Sequence, residues 1–82
     1  MPNYISKRKF ATFLEEYQFY LSEALKDNAE AQYELGYCYF YGVGVEQNRQ
    51  EAIKWHRIAA ENGFAKAQCV LAGRYHVGKD IE

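Results

Sequence analysis

Residues 28–46 read NAEAQYELGYCYFYGVGVE, and residues 64–82 read FAKAQCVLAGRYHVGKDIE. Set 36 residues apart, the two stretches agree at seven of nineteen positions: Ala29/Ala65, Ala31/Ala67, Gln32/Gln68, Leu35/Leu71, Tyr39/Tyr75, Gly42/Gly78 and Glu46/Glu82. Unrelated sequence would give about one identity, so the chain carries an internal repeat. Gly36/Ala72 and Val45/Ile81 add conservative pairs. A repeat of this length is one supersecondary unit, which buries its apolar face only against its neighbours.

The order of residues inside the unit predicts a helical hairpin. A first helix, helix A, is expected from about Ala29 to Tyr41, with Asn28 as its N-cap. Ala31, Leu35 and Tyr39, and beside them Gln32 and Gly36, follow i, i+4 spacing and share one face. Gly36 removes a side chain from that face and permits close approach of another helix. Gly42-Val43-Gly44-Val45 reads as a turn with one apolar anchor. Helix B is then expected to start near Arg49. Asn48 with Glu51 resembles a capping box, and Ala52, Trp55, Ala59 and Ala60 form a buried stripe. Gly63 stands where a C-terminal cap is expected.

Upstream, Phe10, Phe13, Leu14, Tyr17, Leu21, Ala24 and Leu25 recur at helical spacing, and the 36-residue shift places Phe19 on Trp55 and Ala24 on Ala60. The expected order is therefore a B-like helix, then A, B and A. Residues 1–27 are expected to form an N-terminal helix, a degenerate half repeat or cap. Residues 28–63 form a complete repeat, and 64–82 a second helix A with its turn.

The string from Ala29 to Gln68 resembles the Sel-one-like repeat, a relative of the tetratricopeptide repeat. The likeness rests on Ala31, Gln32, Leu35 and Gly36, Tyr39, Gly42-Val43-Gly44-Val45, Ala52, Trp55, Ala59-Ala60 and Gly63, and on a period of 36 rather than 34. The second copy departs from the pattern at Ala72 and at Lys79-Asp80. The resemblance implies an all-α, tetratricopeptide-like right-handed superhelix of stacked antiparallel helix pairs, here an α-solenoid piece of about four helices. It implies a protein–protein interaction module of a family common in bacteria, whose small members act as scaffolds, adaptors or neutralising partners of toxins. It also places the groove on helix A, at Glu30, Tyr33, Tyr37, Phe40 and Tyr41 and then at Lys66, Cys69, Gly73, His76 and Val77. Tyr33 and Phe40 are equally suited to the core between hairpins. Tyr37 and Tyr41 lie one turn apart, away from the Leu35 face, and are expected to bind a protein or peptide. Tyrosine offers large amphipathic contact area at low entropic cost.

Composition sets the outer limits. Eighty-two residues allow one small domain. Eight Tyr, five Phe and one Trp make the chain rich in aromatics, and its single proline is Pro2. Ten basic and eleven acidic residues leave a net charge of −1. The densest basic run, Lys7-Arg8-Lys9, is soon countered by Glu15 and Glu16, so the basic face that nucleic acid requires is not expected. The apolar run Phe10 to Leu14 is too short for a signal peptide or a membrane span. The cytoplasm is the expected compartment, with both cysteines reduced.

Few residues could carry chemistry. Ser6, Thr12 and Ser22 lack a nucleophile-elbow context. Cys38 and His56 could form a thiol–imidazole pair, the remote reading of a small hydrolase. The preferred reading is a small packed cysteine and a surface histidine. Cys69 and His76 stand seven residues apart on one helix, about 10 Å along its axis, too far to share one zinc ion. No metal and no cofactor are expected. The offset between Cys38 and Cys69 under the repeat, about 7.5 Å along the axis, disfavours a disulfide. The second helix A, with Val70, Leu71 and Tyr75, is expected to need more cover than the preceding hairpin provides. A homodimer through residues 65–77 is one way to supply it, and a self-assembling unit with its tyrosines buried is the alternative to an adaptor.

Overall fold

A computed structural model describes residues 12–74, which form four helices: α1 (Phe13–Ala24), α2 (Ala29–Tyr41), α3 (Arg49–Glu61) and α4 (Ala65–Gly73). Each packs on the next in chain order. All four belong to one all-α, tetratricopeptide-like repeat fold. Lys7, Arg8, Lys9, Tyr75, His76 and Val77 lie outside the described residues, so the parts assigned to them in groove, core and basic run do as well.

Local chemistry explains where the helices begin. The Oδ1 of Asn28 accepts from the backbone N–H of Ala31 at 3.1 Å, and that of Asn48 accepts from Glu51 at 3.1 Å. Thr12 does the same for Glu15 at the start of α1. These are N-cap bonds, which satisfy helix donors that have no intrahelical partner. The capping box at Asn48 is only half formed. Its own N–H donates to the Tyr39 carbonyl at 2.9 Å, while the Glu51 carboxylate lies 3.6 Å from Lys54.

The two turns that lead from a B-type to an A-type helix match at the 36-residue offset. Asn28 N–H donates to the Glu23 carbonyl, and Phe64 N–H to that of Ala59; Asp27 donates to Ala24, and Gly63 to Ala60. Asp27 and Gly63 both have positive φ, 70° and 87°. One side-chain bond is also duplicated: Gln32 Nε2 donates to the Ala24 carbonyl at 3.2 Å, and Gln68 Nε2 to that of Ala60 at 3.0 Å. The glutamine common to both stretches is thus a tie from helix A to the end of the preceding helix.

The core lies in two parts. Tyr20, Ala24, Ala31, Leu35, Cys38 and Val43 form the first, with Tyr17, Leu21, Tyr39, Tyr41 and Trp55 packed at its margin. Ile53 and Leu71 join α3 to α4, flanked by Phe40, Ala60 and Val70. Val43 is the apolar anchor of the turn after α2. Gly44, at φ +74°, lies against α1 so closely that a Cβ would sit 2.3 Å from the Phe13 carbonyl oxygen.

Three expectations need correction. The buried stripe of α3 is Ala52, Ile53, His56 and Ala59; Trp55 and Ala60 are only half-buried. His56, expected at the surface, is fully buried. The α2 backbone makes room for it, because a Cβ on Gly36 would come within 2.4 Å of the His56 ring. Tyr41, expected away from the Leu35 face, packs against the cluster that contains Leu35, and Glu16 and Glu34 are buried as well. On α4, Leu71 is buried and Val70 half-buried against Ile53, Phe40 and Ala60; the expected shortage of cover also concerned Tyr75, which lies outside the described residues.

Candidate functional site

The helical repeat brings Tyr33, Tyr37 and Tyr41 into line along α2, with ring centroids 5.1 Å and 5.8 Å apart. Phe64, just ahead of α4, extends the line at 5.2 Å from Tyr33. Phe40 closes it on the other flank, 6.1 Å from Tyr37 and 5.0 Å from Tyr41. All five rings are half-buried. Edge-to-face and offset contacts of this kind each contribute about 0.5–1.5 kcal/mol beyond area burial. The face is therefore a rigid, partly exposed aromatic surface.

His56 supports it from beneath. Its ring lies 5.3 Å from Tyr33 and 4.8 Å from Tyr37. Nε2 lies 3.0 Å from the Tyr33 carbonyl oxygen, which can only accept, so this nitrogen carries the proton and donates. Burial pulls the imidazole down to about 4, although the bond to the Tyr33 carbonyl opposes the shift and Arg74 adds to it. Burial, aided by the Tyr37 hydroxyl, raises the Tyr33 phenol well above the ordinary tyrosine range.

Glu30, Lys66, Cys69 and Gly73 are exposed, so the structure leaves these groove positions open to solvent. Arg74 is exposed too, and its guanidinium carbon lies 5.1 Å from the centre of the Phe40 ring, linking the end of α4 to the α2 face. An open cleft of about 430 Å³ has Cys69, Val70, Gly73 and Arg74 as its described lining. Reading the sequence missed His56, Phe64 and Arg74 as members of this surface. None follows from the pattern within α2; the Gly36 gap, which asks for something to fill it, is the one available signal.

The structure gives Cys38 and His56 different surroundings. Cys38 belongs to the first core cluster, whereas His56 lies under Tyr33 and Tyr37. Burial, then the carboxylates of Glu16 and Glu34, pushes the Cys38 thiol up to about 12. Such a thiol holds its proton at neutral pH and makes a poor nucleophile. Cys38 and Cys69 are both free thiols. Among the described residues, no cluster of His, Cys, Asp and Glu could hold a metal ion, and no helix is long and apolar enough to cross a membrane.

Consecutive helices packed each on the next, with a duplicated turn and an aromatic face along an A helix, define a protein of helical hairpin repeats. The Sel1 repeat family profile matches residues 29–64, and that segment is a Sel1 repeat. Sel1 repeats mediate protein–protein interaction. Protein sel-1 homolog 2 of Homo sapiens is 38% identical over 64 residues, covering 78% of this chain and 9% of that protein. Chitin synthase regulatory factor 3 of Schizosaccharomyces pombe is 32% identical over 71 residues, covering 85% of this chain and 8% of that protein. The chain thus spans about a tenth of the length of these relatives. No solved structure matches.

Proposed function

We propose that this chain is an adaptor or regulatory module that binds a protein or peptide through its aromatic A-helix face and carries out no chemistry of its own. The observation that carries the reading is the line of Phe64, Tyr33, Tyr37 and Tyr41 with Phe40 beside it, half-exposed and braced from below by His56. Rigid aromatic groups lose little entropy on binding, which is why they dominate the energetics of protein interfaces. The contact set proposed is Glu30, Tyr33, Tyr37, Phe40, Tyr41 and Cys69, with His76 outside the described residues. The name of one relative, a regulatory factor, is compatible with this class of role. In the same reading, residues 28–63 are the complete repeat, 64–82 open a second one, and 1–27 supply a degenerate B-type helix in front.

The test is capture of partners by wild type and by a Tyr37→Ala/Tyr41→Ala double variant matched to it in helicity by circular dichroism. A partner bound by wild type and lost by the variant supports the reading. A partner held equally by both overturns it.

Self-association is the second reading, and exposed Phe13, Leu14 and Phe19 on α1, with Leu25 just after it, favour it. The repeat offset sets Leu14, Leu21 and Leu25 against Gln50, Arg57 and Glu61, which are the exposed polar face of α3. The outer side of α4 is the other surface available for a homodimer. A molar mass in light scattering that stays at that of one chain across a hundredfold range of concentration would remove this reading.

A further inference from the structure

The groove reading leaves open what kind of segment the face accepts, and the distribution of charge along α4 bears on that. Lys66 and Arg74 are both exposed, and among the described residues neither has a carboxylate partner. They stand eight residues apart on one helix, about 12 Å along its axis. The open cleft lined by Cys69, Val70, Gly73 and Arg74 runs along this span, where Cys69 is exposed and a Cβ placed on Gly73 would meet nothing within 4 Å. Arg74 is also held in place, because its guanidinium rests over the Phe40 ring. A guanidinium stacked on an aromatic face keeps its edge N–H donors free for a carboxylate. The one acid among the described groove positions, Glu30, is on the first turn of α2, ten residues before Phe40.

Resting on the groove reading above, we infer that the A-helix face takes an extended acidic peptide with carboxylates at positions i and i+4 and an apolar side chain at i+2. An extended chain rises about 3.3 Å per residue, so four residues span about 13 Å, matching the separation of Lys66 and Arg74. Alternate side chains point the same way, so all three groups face the groove together. The two carboxylates meet Lys66 and Arg74. The apolar residue enters the low stretch at Cys69 and Gly73, on the side of α4 that the Phe40 ring flanks.

The experiment is an amide and arginine side-chain NMR titration of the full chain with three end-blocked heptapeptides, GESLSEG, GQSLSQG and GKSLSKG. Saturable shifts at Cys69, Gly73 and the Arg74 Nε–H are expected with GESLSEG only. They should weaken about tenfold in Arg74→Gln, the loss of one charge-assisted hydrogen bond, and should weaken again as sodium chloride is raised. Equal binding of GESLSEG and GQSLSQG, with loss of both in Tyr37→Ala/Tyr41→Ala, overturns the acidic preference and leaves the groove standing. Absence of shifts with GESLSEG, in a protein that still captures a tyrosine-dependent partner, overturns it as well. Loss of tyrosine dependence in both experiments brings down the groove and this inference together.

Discussion

His56 makes the fold sensitive to mild acid, and the size of the effect follows from its burial. An unfolded imidazole has a pKa near 6.5, while burial holds the folded one at about 4. As the pH falls below 6.5, the unfolded chain takes up a proton that the folded chain refuses, so stability is lost through this window and the loss is complete below 4. Between pH 7.5 and pH 5 the linkage relation with these two values gives a loss of about 2 kcal/mol. Few carboxylates titrate in that interval, which isolates the histidine. Arg74 adds to the penalty. Urea unfolding followed by circular dichroism is the assay. With a slope of about 1 kcal/mol per molar, the midpoint should drop by about 2 M on going from pH 7.5 to 5. His56→Gln keeps a donor for the Tyr33 carbonyl but cannot titrate, so its midpoint should stay nearly constant. An equal drop in both proteins would refute the assignment.

Three further predictions concern other parts of the fold. Gly44→Ala should cost about 2–4 kcal/mol in urea unfolding, because the new Cβ meets the Phe13 backbone and the φ is positive. Asn62→Ala should cost about 1–2 kcal/mol in thermal unfolding, since the Asn62 Nδ2 donates to Gln32 Oε1 at 2.9 Å and to Asp27 Oδ1 at 3.3 Å. Native protein at pH 8 should take up one equivalent of a thiol reagent at Cys69 and react at Cys38 only after denaturant is added, as mass spectrometry of the labelled peptides would show.

What could be read from sequence was local. Asn28, Asn48 and Gly63 mark helix boundaries through bonds within three or four residues of themselves, so a short window contains the whole cause. The 36-residue offset extended that reach, and it pairs Asp27 with Gly63, a hint that the aspartate occupies a left-handed turn position. His56 was misread because its burial depends on a gap at Gly36, on another helix, which becomes a cavity wall only after the hairpin closes. Glu16 and Glu34 escaped for the same reason. Their burial is set by helix packing, while their residue type argues for solvent. On the binding face, the α2 tyrosines follow from spacing along one helix. Phe64 and Arg74 join them only through the approach of α4, which no periodicity within a single helix encodes.

The Asn62 amide has one more consequence. It joins the turn after α3 to Asp27 in the turn between α1 and α2 and to Gln32 on α2, and Gln32 in turn holds the end of α1. Apolar contact is non-directional and tolerates sliding, whereas hydrogen bonds fix distance and angle. Along this edge, the spacing of the stack is therefore held by a few amide and carboxylate groups as well as by the core. An array built from such units could alter its curvature, and with it the shape offered to a partner, by exchanging one surface asparagine while leaving every buried aliphatic side chain unchanged.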